Sequence, residues 1–383
     1  MPTIADIAHA LETWAPPGSA QSYDNVGLQV GDAHRPVDVA LIALDLTPAV
    51  IDEAIERGAT LIITHHPLIF RPLRRLTAGD GPGSLALRLA EADIALYAAH
   101  TNLDAAPGGV SFALAERLGL TEVRFLDPLP EQLYKLVTFV PADHLDAVRN
   151  ALAEAGAGRI GDYEACAFAH PGTGYFRPGP GASPFTRTAP GELAETSEVR
   201  LEVEVSRWDL ERVRQALLMA HPYEEVAYDV YPVLQPHTRA GLGAIGTLAD
   251  AEPVAAFLQR VAERLKAGSL RYAGAPDALV RTVAVCGGSG SDLIRHALQA
   301  GADAYVTADV TYHRFFEVLD PDGIPRMALI DAGHYETEAV TEQLLLHHLR
   351  ERFPGVRWHR TTTRTSPMRT YVPTPTDAAR RPG

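Results

Sequence analysis

Apolar runs of strand length recur along this chain with helical segments between them, and most stop at a histidine or an aspartate. Ala40–Leu44 is closed by Asp45, and Thr47 is the expected N-cap of a helix over Pro48–Arg57. Ala59–Ile63 runs into Thr64-His65-His66-Pro67, then a long loop and a helix near Ser84–Ala92. Ile94–Ala99 runs into His100-Thr101-Asn102-Leu103-Asp104, with a helix over Val110–Leu118 behind it. The same grammar returns later: Val280–Cys286 ends in Gly287-Gly288-Ser289-Gly290 before a helix, Ala304–Thr307 precedes Asp309, and Met327–Ile330 leads to His334. Such alternation predicts an α/β fold with a mostly parallel sheet flanked by helices. Parallel strands end on one edge, where ligands of such sheets gather. Asp45, His65, His66, His100, Asp104, Asp309 and His334 are therefore expected to converge.

Between these halves the grammar changes. Pro141–Leu152 and Ser206–Leu217 align without gaps, and the register continues to Tyr163 and Tyr228, so each copy reads strand, helix, strand. A duplicated βαβ of this size is the ferredoxin-like α+β arrangement, with a Gly/Pro-rich loop, Gly172–Pro190, between the copies. Chance similarity of two amphipathic helices is the alternative. At 383 residues the chain is too long for one typical core. The expected division is 1–130 and 235–372 as two halves of one domain, 131–234 as an inserted domain, and 373–383 as a polar, disordered tail.

Composition narrows the function. The formal net charge is -14 and the arginines are scattered, which disfavours duplex nucleic acid as a partner. No apolar stretch reaches the roughly 18 residues of a membrane span, and Met1–Asp6 lacks the pattern of a signal peptide, so a cytoplasmic location is expected. The two cysteines, Cys166 and Cys286, are too far apart along the chain for a zinc knuckle. Any metal site is then built from histidine and carboxylate.

His65 and His66 sit where a strand stops. Adjacent side chains on an extended chain point apart, so the two rings converge only if Pro67 breaks the strand there. That geometry suits two ions side by side, and a pair of loop histidines with ordinary hydrogen bonds is the alternative. His334 and Glu338 share a helix face at i and i+4 if a helix begins at His334; a capping histidine and a helix-dipole glutamate is the bland reading. With Asp104 the set comprises three imidazoles and two carboxylates, enough for two divalent ions if the carboxylates bridge. Zinc, iron and manganese all suit such donors. Asp45 and Asp309 are expected to support the ligands through hydrogen bonds or to cap strands, and His100 to support the site. The glycines after Cys286 suit either an anion-binding loop or a tight turn.

The strings SYDNVGLQVGD, ITHHPLIF, AAHTNLDAAPGGV, AVCGGSGSDLI, DAYVTADVTYHRF and LIDAGHYETE resemble, in order and spacing, the Nif-three-like dinuclear metal centre family, whose members carry the name GTP cyclohydrolase 1 type 2 homolog. GDYEACAFAHPGTGYFRP and HPYEEVAYDVYPV resemble the PII/CutA-like insert of its long bacterial members. The resemblance implies a two-metal site at His65, His66, Asp104, His334 and Glu338. It also implies a homohexamer with the metal sites facing an internal cavity, and metal-activated water acting on a small molecule such as a nucleotide. Asp309 and His313 would support the site; Ala308 stands where the family often has glycine. A metal-trafficking or regulatory protein without turnover is the rival reading.

Overall fold

The computed structural model describes residues 1–79 and 81–371, so the expected tail over 373–383 lies outside the described residues. Two compact units are present. One comprises Met1–Asp127 with the described residues from Gly241 to Tyr371, and the other is Pro128–Ala240.

The first unit opens with α1 (Ile4–Trp14), whose Thr3 and Asp6 form a reciprocal capping box. Then come β1 (Gly27–Val30), β2 (Val39–Ala43), α2 (Pro48–Arg57), β3 (Leu61–Thr64), α3 (Pro82–Glu91) and β4 (Ala95–Ala98). Thr47 does cap α2, its hydroxyl accepting from the Val50 amide. The half closes with α4 (Thr101–Asp104), α5 (Val110–Leu118) and β5 (Thr121–Pro128).

The second unit runs β6 (Leu133–Val140), α6 (Leu145–Glu154), β7 (Ala167–Phe176), β8 (Ala194–Ser206), α7 (Leu210–Ala220) and β9 (Tyr228–Val233). Its four-stranded sheet has the order β7-β8-β6-β9, with antiparallel pairing throughout. The two helices bury matching positions of the sequence duplication, Val148 and Leu152 in α6, Val213 and Leu217 in α7. The register slips after α6: the strand begins at Ala167, past Tyr163, which instead bridges to Ile160. Part of the expected Gly/Pro loop is also strand, because Gly172 and Gly174 pair with Glu198 and Thr196.

The first unit resumes with β10 (Gly241–Pro253), α8 (Val254–Leu265), β11 (Arg271–Ala273), β12 (Leu279–Ser289), α9 (Ile294–Gln299) and β13 (Ala304–Ala308). It ends with β14 (Ala328–Asp331), α10 (His334–Glu338), α11 (Val340–Arg352) and β15 (Arg357–Arg360). The expectation of a mostly parallel sheet is corrected here: the strands form two mixed sheets, β1-β4-β3-β2-β15 and β11-β14-β13-β12-β10-β5. Each has a parallel centre, β4-β3-β2-β15 in one and β14-β13-β12 in the other. Antiparallel strands flank these centres, β1 on β4, β11 on β14 and β10 on β12.

The central strands are apolar without alternation because both faces are covered. Ala40 and Ile42, Leu61 and Ile63, Ala95 and Tyr97 face one core; Leu41, Ile62 and Leu96 face another with α2. Val283, Val306 and Ile330 of the second sheet enter the same core as Ile42 and Ile63, while Ala284, Tyr305 and Leu329 face away from it. Among the described residues no helix is long and apolar enough to cross a membrane.

The first unit closes where the second leaves it. β5 and β10 are neighbours in one sheet, and a Cβ added at Gly241 would lie 2.8 Å from the carbonyl oxygen of Asp127. Replacing Pro128–Ala240 by a short Gly/Ser linker is therefore expected to leave a folded protein with unchanged metal content. Elemental analysis of a monodisperse deletion variant checks this, and a folded but metal-poor product would contradict it.

Candidate metal centre

Two parallel strand centres, rather than one sheet edge, deliver the site. Thr64 ends β3, and its hydroxyl donates to the His66 carbonyl at 2.8 Å, sharpening the bend before Pro67. The His65 and His66 rings consequently lie with centroids 5.1 Å apart instead of on opposite faces. β4 leads to His100 and then to Asp104 at the end of α4. β14 leads through Gly333, at φ 92°, into α10, whose single turn carries His334 and Glu338 at i and i+4.

Four imidazoles share one hydrogen-bonding logic. His65 Nδ1 donates to the Ala99 carbonyl at 2.7 Å, His66 Nδ1 to Asp45 at 2.7 Å, His334 Nδ1 to Asp309 at 2.6 Å and His100 Nδ1 to Asp24 at 2.9 Å. With Nδ1 spent on an oxygen, the tautomer leaves each Nε2 as a bare lone pair, the form that binds a metal. His66 and His334 present these atoms to each other at 3.4 Å, and each lies 3.0 Å from Glu338 Oε2. His65 Nε2 is 3.8 Å from Glu338 Oε1 and 3.7 Å from Asp104.

Lone pairs facing lone pairs repel unless a cation stands among them. His65 Nε2 and Glu338 Oε2 are buried without an aligned hydrogen-bond partner among the described residues, a cost that few native polar atoms bear unexplained. Donor atoms of His66, His334 and Glu338 lie mutually within 4.8 Å, as do ring nitrogens of His65, His66 and His100. The residues present thus fit divalent cations held by nitrogen and oxygen.

Protonation follows the same pattern. Burial lowers the pKa of His66, but hydrogen bonds and charge from Asp45 and Glu338 outweigh it and lift it to about 10. His334 rises to about 9, chiefly through Glu338, against burial and with help from Asp309. Burial would raise the Glu338 carboxyl, yet His334, His65 and His66 hold it well below its ordinary value. Asp104 is pushed up to about 7, first by burial and then by Glu338, against the pull of His65. In the absence of other cations, the cluster captures protons.

The sequence-predicted residues His65, His66, Asp104, His334 and Glu338 thus come together, and Asp45 and Asp309 hold the rings of His66 and His334. His100, expected only to support the site, has a ring nitrogen as well placed as those of His65 and His66. His313 is exposed against Tyr312, and among the described residues no hydrogen bond or ion pair links it to the cluster. Sequence reasoning missed Asp24, whose carboxylate orients His100 and accepts from the Thr101 amide at 3.0 Å. It stands in an Asp-Asn-Val-Gly stretch indistinguishable from an ordinary turn. Thr365, whose hydroxyl donates to Asp45, carried no local signal either.

The glycine loop is no anion cradle. The Gly288 amide donates to the Thr337 hydroxyl and the Gly290 amide to the Thr307 hydroxyl, each at 3.0 Å. Gly288 is there for approach: at φ +60°, a Cβ would lie 2.1 Å from Glu338 Oε1. Gly288→Ala is expected to displace Glu338 and lose at least half of the bound metal. Gly301→Ala is the control, since its φ of +72° brings similar backbone strain with nothing within 4 Å. Equal metal loss in both variants would contradict the role given to Gly288.

Comparison with known proteins gives concordant results. Residues 2–367 match the family model Duf34/NIF3 (NGG1p interacting factor 3). A Bacillus subtilis (strain 168) protein named GTP cyclohydrolase 1 type 2 homolog is 41% identical over 337 residues, covering 88% of this chain and 89% of the relative. The solved structure of a Bacillus cereus protein related to NIF3 superposes with a TM-score of 0.81 at 39% identity, covering 97% of this chain and 99% of that one. The Staphylococcus aureus protein SA1388 gives a TM-score of 0.76 at 31% identity, over 97% and 99% of the two chains.

Proposed function

The chain belongs to the Duf34/NIF3 family, and on that premise we propose that it is a cytoplasmic, metal-dependent hydrolase holding two divalent ions side by side. The observation that carries this reading is the inward set of bare Nε2 atoms around the Glu338 carboxylate, each with its Nδ1 spent on an oxygen. His66, His334 and Glu338 Oε2 would hold one ion; His65, Asp104 and Glu338 Oε1 would hold the other. Zinc, iron and manganese all accept these donors. Such ions, when bound, lower the pKa of water towards roughly 7 and steady negative charge developing on a substrate.

The chain's own residues set the conditions for that chemistry. Asp45 and Asp309 fix the ring planes of His66 and His334 and increase their basicity, a kind of support typically worth about 10–100-fold in metal affinity. Asp24 fixes His100, whose other ring nitrogen can take a proton beside the reacting centre. A small-molecule substrate of nucleotide type is supported by the name of the relatives. Homohexameric assembly is supported by the family resemblance alone. The unit Pro128–Ala240 we read as a ferredoxin-like, PII/CutA-like insert, on its β-α-β-β-α-β order and the strand order of its sheet.

Elemental analysis of metal-loaded protein tests the site, with about two ions per chain expected. A nucleotide and phosphoester panel tests the activity, with turnover in loaded but not in chelated protein. About one ion per chain would overturn the dinuclear reading. Tight, exchangeable metal without turnover would favour a carrier.

A further inference from the structure

A cavity of about 500 Å³ lies behind the turn that carries the metal-site residues, with Tyr335 and Glu336 of α10 in its wall. Five cationic side chains line it, Arg117, Arg264, Lys266, Arg360 and Arg364, against two carboxylates, Glu336 and Glu342. Both carboxylates have cationic neighbours already: Arg364 bonds Glu336 at 2.6 Å, and Arg360 stands 3.9 Å from Glu342. No ion pair or side-chain hydrogen bond engages Arg117, Arg264 or Lys266 among the described residues. In a chain of net charge -14, this convergence leaves a concavity with unmet demand for negative charge.

Helix dipoles account for part of it. Arg117 and Arg264 lie in the last turns of α5 and α8, and Lys266 caps α8, where the helix dipole favours cations. That preference does not bring the ends of two helices, the end of β15 and the chain after it to one cavity. The latter segment is also held rigidly. Glu53 accepts from the Thr361 hydroxyl, from the Thr362 amide at 3.1 Å and from the Thr363 hydroxyl at 3.3 Å. The threonine hydroxyls are thereby spent, and the segment serves to fix Arg360 and Arg364.

We propose that this cavity binds a phosphorylated small molecule, with Arg117, Arg264, Lys266 and Arg360 as its phosphate contacts. Guanidinium groups match phosphate oxygens in pairs, and several converging cations suit a ligand bearing more than one negative charge. The cavity's volume fits a metabolite rather than a polymer. The ligand would sit on the far side of the α10 turn from His334 and Glu338, and Thr365 continues the same segment to Asp45 and so to His66. The site is distinct from the metal centre and does not depend on the hydrolase reading.

Titration calorimetry of metal-loaded protein with inorganic tripolyphosphate tests it. Saturable binding is expected, weakening with salt and falling at least tenfold in Arg117→Gln/Arg264→Gln, with recovery in Arg117→Lys/Arg264→Lys. Neither glutamine costs an ion pair, so folding should survive. If it does not, the salt dependence of wild type and single Lys266→Met decide. His66→Ala, which disables the metal centre, should bind tripolyphosphate as wild type does. Binding lost in His66→Ala but unchanged in the arginine variants would put the anion on the metal and overturn the cavity site, leaving the metal centre intact. No saturable binding of tripolyphosphate or GTP by wild type would overturn it outright. Tighter binding of GTP than of tripolyphosphate, with the same arginine dependence, would identify a nucleotide as the ligand.

Discussion

Glu338→Ala protein is expected to retain well under one ion per chain under conditions in which the wild type holds about two. Glu338 is only 4% exposed, and its two oxygens face three imidazoles: Oε2 lies 3.0 Å from His66 Nε2 and from His334 Nε2, and Oε1 lies 3.8 Å from His65 Nε2. Truncation therefore removes a donor from both proposed ion positions and leaves mutually repelling lone pairs in a buried cavity. Asp45→Asn should do less, lowering affinity by about 10–100-fold, because it disturbs only the orientation and basicity of His66. Proton release offers an independent check. His66 and His334, raised to about 10 and about 9, are protonated at neutral pH in metal-free protein, so an ion must displace both protons. Apparent affinity should rise with pH until those values are passed. Competition titrations with a chelator at several pH values measure it, and a pH-independent affinity would show that the two rings are not ligands.

Legibility in the sequence followed the range of the interactions involved. β2, β3, β4, β12, β13 and β14 announced themselves because both faces of each are buried, which leaves an apolar run bounded by polar residues. The division into two sheets did not, since it is set by which strands pair across the chain, β15 with β2 and β11 with β14, rather than by local preference. The approach of His65 to His66 and of His334 to Glu338 was suggested by spacing, through a broken strand and an i,i+4 pair, with alternatives that only the family resemblance weighed against. Asp24 was not, because its role appears only when residues far along the chain fold back onto the turn that contains it. The helices α6 and α7 were readable for a similar reason to the strands: Val148/Leu152 and Val213/Leu217 repeat one burial pattern. The basic cavity was invisible, for its arginines come from α5, α8, the end of β15 and the chain after it, with no local cluster.

Asp104→Asn is expected to reduce metal-dependent turnover by at least about 100-fold while leaving the fold intact. Unlike Glu338, whose side chain is 5% exposed, Asp104 has a side chain 23% exposed, as accessible as His66 and less so than His334. Its carboxyl, raised to about 7 in metal-free protein by burial and by Glu338, would be drawn into the ionised form by a neighbouring cation. The amide keeps the shape but removes the charge and one oxygen donor. One proposed ion position would then lose one of its two carboxylate donors, and with it the spacing on which two-ion activation of water depends. The wild-type rate should rise with pH across the range in which the water ionises and then level off, whereas the variant should show little of that dependence. Parallel assays of loaded wild type, chelated wild type and loaded Asp104→Asn decide the matter. Equal rates in all three would mean a contaminating activity, and no rate in any, with metal passing to an apo-acceptor faster than spontaneous release, would mean that the centre delivers ions rather than activating water.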